Sequence, residues 1–135
     1  MEQKTKSSLS YADLKKLWSF EKKEDETLCI TGYKGEDFDV IVPECIGKNI
    51  VTEIAYEAFS PLKWMRKEKQ GMVLCRINSI VIPNTVKKIA GCAFRGCYNL
   101  KTISLPNGLK SIGERAFAKC DKLQSISIPG RVNAR

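Results

Sequence analysis

The sequence predicts a β-rich solenoid of short repeats, and two observations carry that prediction. The first is self-similarity at a fixed period: Ile80-Val81-Ile82-Pro83, Ile103-Ser104-Leu105-Pro106 and Ile126-Ser127-Ile128-Pro129 recur every 23 residues. The second is that the same offset relates Val86 to Leu109, Ile89 to Ile112, Ala93-Phe94 to Ala116-Phe117, Cys97 to Cys120 and Leu100 to Leu123. A period of this length falls among the leucine-rich repeats, in which one supersecondary unit stacks on the next.

Each repeat opens with a short strand. Ile103 and Leu105 point one way and Thr102 and Ser104 the other, and Pro106, which has no N–H for a ladder, ends the run. Leu109 and Ile112 return apolar groups inward, Ala116-Phe117 places a small residue beside a large one, and Cys120 with Leu123 closes the coil. No single coil buries this apolar set, so stacking is predicted, with Phe59 below Phe94, Phe94 on Phe117 and Cys97 on Cys120.

A degenerate copy precedes the regular ones: Val40-Ile41-Val42-Pro43 opens it, and Ile54 with Ala58-Phe59 keeps the spacing. It carries an insertion of five residues around Gly47 to Val51 and one of twelve across Pro61 to Arg76. Both are expected as loops, because the stacked positions must keep register. Ahead of it, Ser10 and Asp13 resemble a capping box, with Tyr11, Leu14 and Leu17-Trp18 on one face of a short helix. Trp18–Lys22 and Leu28–Tyr33 alternate around the charged run Lys23–Glu26, the pattern of a hairpin with a solvated tip. The organisation predicted is a helix and hairpin cap over 1–35, a degenerate first repeat with insertion over 36–77, and regular repeats over 78–135.

The I-x-I-P strand, I-x-x-x-A-F turn and C-x-x-L step between Ile80 and Pro129 resemble BspA-like leucine-rich repeats. The segment Ile30–Gly35 followed by Val42-Pro43 is similar to the entry module that leads into such repeats in bacterial proteins. The resemblance implies a right-handed, β-rich solenoid used for protein binding, commonly in bacterial surface proteins that adhere to other cells. It implies no catalytic residues. Typical members have more coils and carry export or anchoring segments.

Residue chemistry points away from catalysis. The chain has no histidine, which rules out Ser-His-Asp, Cys-His and imidazole zinc arrangements. Six cysteines are spaced too widely for a four-thiolate zinc site, and reduced, buried thiols are expected. Gly91 and Gly96 have a phosphate loop's spacing, but Cys97-Tyr98 stands where Lys-Ser or Lys-Thr is required. No enzyme, metal or cofactor is expected. No run of about 20 apolar residues crosses a bilayer, and Met1–Ser10 lacks the apolar core of a secretory signal. A cytoplasmic location is the default expectation, with the cell surface as the alternative that the resemblance implies.

Three surfaces are candidates for partner binding. Thr102, Ser104, Ser125 and Ser127, with Ser79 and Val81 one coil earlier, line up as a ladder of small side chains on the exposed strand face. That ladder reads either as a close-fitting partner surface or as a solvated strand face. The larger insertion interleaves Lys63, Trp64, Arg66, Lys67, Lys69 and Arg76, a combination that holds phosphate and stacks a base, or else a solvated loop with Trp64 folded back on the core. Lys87 and Lys110 share a repeat position, with Lys88, Arg95, Arg115 and Lys119 in the same coils.

Charge is uneven, since residues 78–135 hold 10 basic and 2 acidic side chains in a chain of net charge +8. The function expected is a protein-interaction module, the alternative an electrostatic binder of nucleic acid or another anionic polymer. After Ile126–Pro129 only Val132 and Ala134 are apolar, so an uncapped strand edge is expected, giving either self-association or a fragment of a longer array.

Overall fold

A computed structural model describes residues 9–66, 68–126 and 133–134, with the backbone alone at 65, 66, 68, 125, 133 and 134. The chain opens with α1 (Tyr11–Leu17), started by a true capping box. Ser10 Oγ accepts from the Asp13 N–H at 3.1 Å, and the Asp13 carboxylate accepts from the Ser10 N–H at 3.3 Å. Of the predicted apolar face Leu14 and Trp18 are buried, and within the helix itself only Leu14 is. Tyr11 is 51% exposed. Trp18, assigned to the helix by its spacing, is extended and begins β1 (Trp18–Lys22). The helix is two turns long, so its apolar face ends before Trp18.

β1 pairs antiparallel with β2 (Leu28–Tyr33), which confirms the hairpin. Its tip is tied to the coils by Lys23, 3.0 Å from Glu53. From β2 onward the chain coils, and strands alternate between two sheets. The first sheet runs β1-β2-β5-β7-β9-β11, with β5 (Asn49–Ile54), β7 (Lys88–Ile89), β9 (Ser111–Ile112) and β11 (Asn133–Ala134) adding in parallel to β2. The second runs β10-β8-β6-β3, built from β3 (Asp39–Ile41), β6 (Ser79–Val81), β8 (Thr102–Ser104) and β10 (Ser125–Ile126), all parallel. Sequence neighbours 23 apart, such as Ile80 and Ile103, are the ladder partners.

Between the sheets lies the aromatic stack that the repeat predicts. Phe59 and Phe94 have centroids 5.1 Å apart and Phe94 and Phe117 5.4 Å, with rings within 17° and 2° of parallel. Tyr33 and Trp18 extend the stack below Phe59, at 6.3 and 6.0 Å. The neighbouring alanines, Ala58, Ala93 and Ala116, are buried because the next coil's backbone passes there: the Phe94 N–H donates to the Ala116 carbonyl at 2.8 Å. To aim Ala-Phe inward, the preceding residues Glu57, Cys92 and Arg115 adopt left-handed backbone at φ 58°, 54° and 59°. Such a conformation costs a non-glycine residue about 1–2 kcal/mol.

The cysteine position has a specific task. Cys97 Sγ donates to the Phe59 carbonyl at 3.4 Å, and Cys120 Sγ to the Phe94 carbonyl at 3.2 Å, each reaching back one coil. All six thiols are free, as expected, but only Cys92 and Cys97 are fully buried, and Cys45, in the inserted hairpin, is exposed. Burial pushes the Cys120 pKa up to about 11 and that of Cys97 well above its usual value, so both stay protonated donors.

Both insertions depart from the expected loops. The smaller forms a hairpin, β4 (Cys45–Ile46) on Asn49–Ile50 of β5, through a Gly47-Lys48 turn in which Gly47 supplies φ 63°. The larger folds into a 3-10 turn, Lys63–Arg66, and helix α2, Glu68–Arg76. Val73, Leu74 and Ile77 bury one side of this segment, and that i, i+1, i+4 spacing is the physical reason it is helical.

Candidate functional site

The second sheet presents its outer face in two rows. Parallel register places Asp39, Ser79, Thr102 and Ser125 side by side in one, and Ile41, Val81 and Ser104 in the other, while Val40, Ile80 and Ile103 point into the core. Adjacent members of a row are about 4.8 Å apart. The expected ladder is therefore real at Thr102 and Ser104, both exposed; the Ser125 side chain and all of Ser127 lie outside what the structure describes.

Towards the first coil the face changes character. Ile41 is 43% and Val81 40% exposed, and Phe38, just before β3, is 55% exposed. Asp39 is fixed there by Ser79 Oγ at 2.7 Å and Asn78 Nδ2 at 3.2 Å, donors that hold its carboxyl below the usual range and keep it charged.

The end of the larger insertion reaches the residue that leads into β3. The Arg76 guanidinium at the end of α2 lies 5.6 Å from the Phe38 ring centroid. Asn99 Nδ2 binds the Cys75 carbonyl at 2.9 Å, which pins α2 to the next coil. Trp64 is half-buried and packs on the core; a Cβ at Gly32 would meet its ring at 2.8 Å. It is thus a packing residue rather than an open stacking platform. Lys63 lies over the Trp64 ring at 5.4 Å, and exposed Lys69 is 3.3 Å from Glu36. The Arg66 side chain and Lys67 fall outside the described residues.

Lys87 and Lys110 are exposed and stacked one coil apart, the Lys110 N–H donating to the Lys87 carbonyl at 2.8 Å. Neighbouring Lys88 faces Glu53 at 4.0 Å. Lys87 and Lys110 immediately precede β7 and β9 of the first sheet, whereas Phe38 precedes β3 of the second. Among the described residues no group of three or more His, Cys, Asp or Glu side chains is placed to hold a metal ion, and no helix is long and apolar enough to cross a membrane.

Sequence reading missed Ile41, although its signal was available: it occupies Val81's position in the degenerate repeat. Phe38 and its contact with Arg76 had no signal, because an irregular loop and an insertion place them.

Parallel sheets built one strand per coil around a phenylalanine stack define a leucine-rich-repeat protein. Residues 72–134 match the BspA type leucine rich repeat region, so this part of the chain is built of such repeats. It is similar to a leucine-rich repeat protein of T. pallidum, 30% identical over 87% of this chain with a TM-score of 0.75. A leucine-rich repeat protein of Bacteroides capillosus is 26% identical, with 89% of this chain and 84% of that one covered and a TM-score of 0.74. A leucine rich cell surface protein of Faecalibacterium prausnitzii is 27% identical over 82% of this chain and 28% of its own length, with a TM-score of 0.65. The chain spans half the length of the T. pallidum protein. No curated protein matches it.

Proposed function

We infer that this protein is a non-catalytic interaction module that binds a protein partner on the outer face of the second sheet. The observation that carries this reading is the exposure of Ile41 and Val81 in register on the sheet's outer face. Contiguous apolar groups on a solvated sheet are a feature of interaction sites. Thr102 and Ser104 extend the same surface with small polar side chains that admit a partner closely. In this reading the coil is a right-handed solenoid, the described residues of 1–35 cap it, those of 36–77 form the degenerate coil, and those of 78–135 extend the face.

The test is capture of partners by wild-type protein, by Ile41→Glu with Val81→Glu, and by Lys87→Glu with Lys110→Glu, at two salt concentrations. Loss of the partner in the first variant alone supports the face. Binding that fails only in the second, and that falls linearly in log salt, supports the anionic-polymer alternative, which the stacked pair Lys87 and Lys110 favours. Free thiols at all six cysteines suit a reducing compartment, so a cytoplasmic setting is part of the proposal. The F. prausnitzii relative is a cell surface protein, and fractionation of native cells decides between the two. Self-association through the strand edge at Ile126 belongs to the same proposal, and light scattering across a concentration series checks it.

A further inference from the structure

The two sheets begin differently. The first sheet's opening parallel strand, β2, is covered by the antiparallel strand β1. The second sheet starts at β3, and among the described residues β6 is the only strand that pairs with it. The bonds to β6 show which way β3 faces. The Phe38 carbonyl accepts from Ser79 at 3.3 Å and the Val42 N–H donates to Val81 at 3.0 Å. Since backbone groups alternate along a strand, Phe38, Val40 and Val42 address β6, and the N–H and C=O of Asp39 and Ile41 address the opposite, open side.

We propose that this open edge of β3 takes up an extended peptide as an added parallel-sheet strand, with a basic residue beside Asp39 and a branched aliphatic residue beside Ile41. The proposal rests on the second sheet being the binding surface and names how its partner is held. Main-chain bonds to Asp39 and Ile41 supply affinity, and the two outward rows supply selectivity. A side chain added to the Ile41–Val81 row is covered by an exposed aliphatic neighbour. One added to the Asp39–Ser79 row meets a carboxylate held in its charged form.

Charge decides the occupant. Residues 36–44 hold four acidic side chains (Glu36, Asp37, Asp39 and Glu44) and no basic one, in a chain whose net charge is +8; Lys69 pairs with Glu36 and Arg76 lies at Phe38, which leaves Asp37, Asp39 and Glu44 to set the sign beside β3. A second copy pairing edge to edge would oppose two such acidic segments, whereas a segment of the pattern Lys/Arg-x-Val/Ile complements one.

The probes are acetyl-Thr-Lys-Ala-Val-Thr-amide, its reverse-order counterpart, and each N-methylated at every second amide. They are titrated into the full-length, isotope-labelled protein with amide shifts and hydrogen exchange as readout. The expected result is saturable shifts and slowed exchange at the Asp39 and Ile41 amides, abolished by N-methylation and weakened at least tenfold by Asp39→Lys. Ile41→Pro deletes an outward donor, so binding is lost while Ser79 and Val81 stay protected, which reports that the ladder still stands. Absence of any response at millimolar probe, or a response confined to Val81 and Thr102, overturns the edge proposal while leaving the face reading to the capture experiment. Protection of Asp39 and Ile41 that rises with protein concentration and no probe assigns the edge to a second copy and also overturns it.

Discussion

Two coils with the same sequence pattern differ in how much of it they bury. In the inner coil Phe94, Cys97 and Leu100 are fully enclosed, with a coil on either side. In the outer coil the equivalents Phe117, Cys120 and Leu123 are only partly buried. Identical chemistry at a repeat position therefore has a stability value set by its neighbours, the behaviour of a one-dimensional array. Phe94→Ala is expected to cost about 4 kcal/mol and Phe117→Ala about 2 kcal/mol, since cavity and transfer terms both scale with enclosure. Denaturant titration of the two variants measures the difference, and equal losses would mean that the last coil is covered as well as the inner one.

Gly113 tests how closely coils approach. A Cβ there would lie 2.3 Å from the Gly91 nitrogen, a collision with backbone that cannot swing aside. A Cβ on Gly91 would meet the Glu114 carbonyl at 3.1 Å, a far smaller intrusion. Gly113→Ala is expected to lose about 2–3 kcal/mol and Gly91→Ala less than about 1 kcal/mol, by thermal or chemical unfolding.

The cysteines extend the comparison to pH. Burial raises the folded pKa of Cys29 and Cys120 to about 11, above their ordinary value near 9. The stabilisation tied to the protonated thiols is then complete below pH 9 and is lost as pH rises through about 11. Titrating stability across that window is expected to show a decline that Cys120→Ser reduces. At pH 8, alkylation should reach exposed Cys45 first and Cys97 last.

The solenoid core was legible because a 23-residue period repeats whatever the structure requires repeatedly: Phe59, Phe94 and Phe117 stack as the spacing demands. What occurs once was harder to read. The segment 61–76 looked like a basic loop because six charged or aromatic residues drew attention from Val73, Leu74 and Ile77, which fix it as a helix. The contact of Arg76 with Phe38 depends on that helix, and so was invisible to a repeat search. Ile41 was legible in principle, since Val40-Ile41-Val42-Pro43 aligns with Ile80-Val81-Ile82-Pro83, but as an aliphatic residue in a row that continues with small polar ones it did not stand out.

The smallest predicted effect concerns backbone that repeats without any sequence signal. Glu57, Cys92 and Arg115 all sit in the left-handed region, although none is glycine. The ladder enforces it: the Cys92 N–H donates to the Glu114 carbonyl at 3.0 Å, and the Ala-Phe pair that follows must turn inward. Each site carries strain that glycine removes, against glycine's greater loss of chain entropy on folding. Arg115 is exposed in the outer coil, so its side chain contributes little packing to offset the exchange. Cys92 is buried in the inner coil and would lose apolar contact as well. Arg115→Gly is therefore expected to stabilise by about 0.5 kcal/mol, Cys92→Gly to give no gain, and Arg115→Ala to leave stability nearly unchanged, because alanine keeps the same Cβ conflict. A denaturation midpoint for Arg115→Gly no higher than that of Arg115→Ala would show that the left-handed turn is not where this coil stores strain.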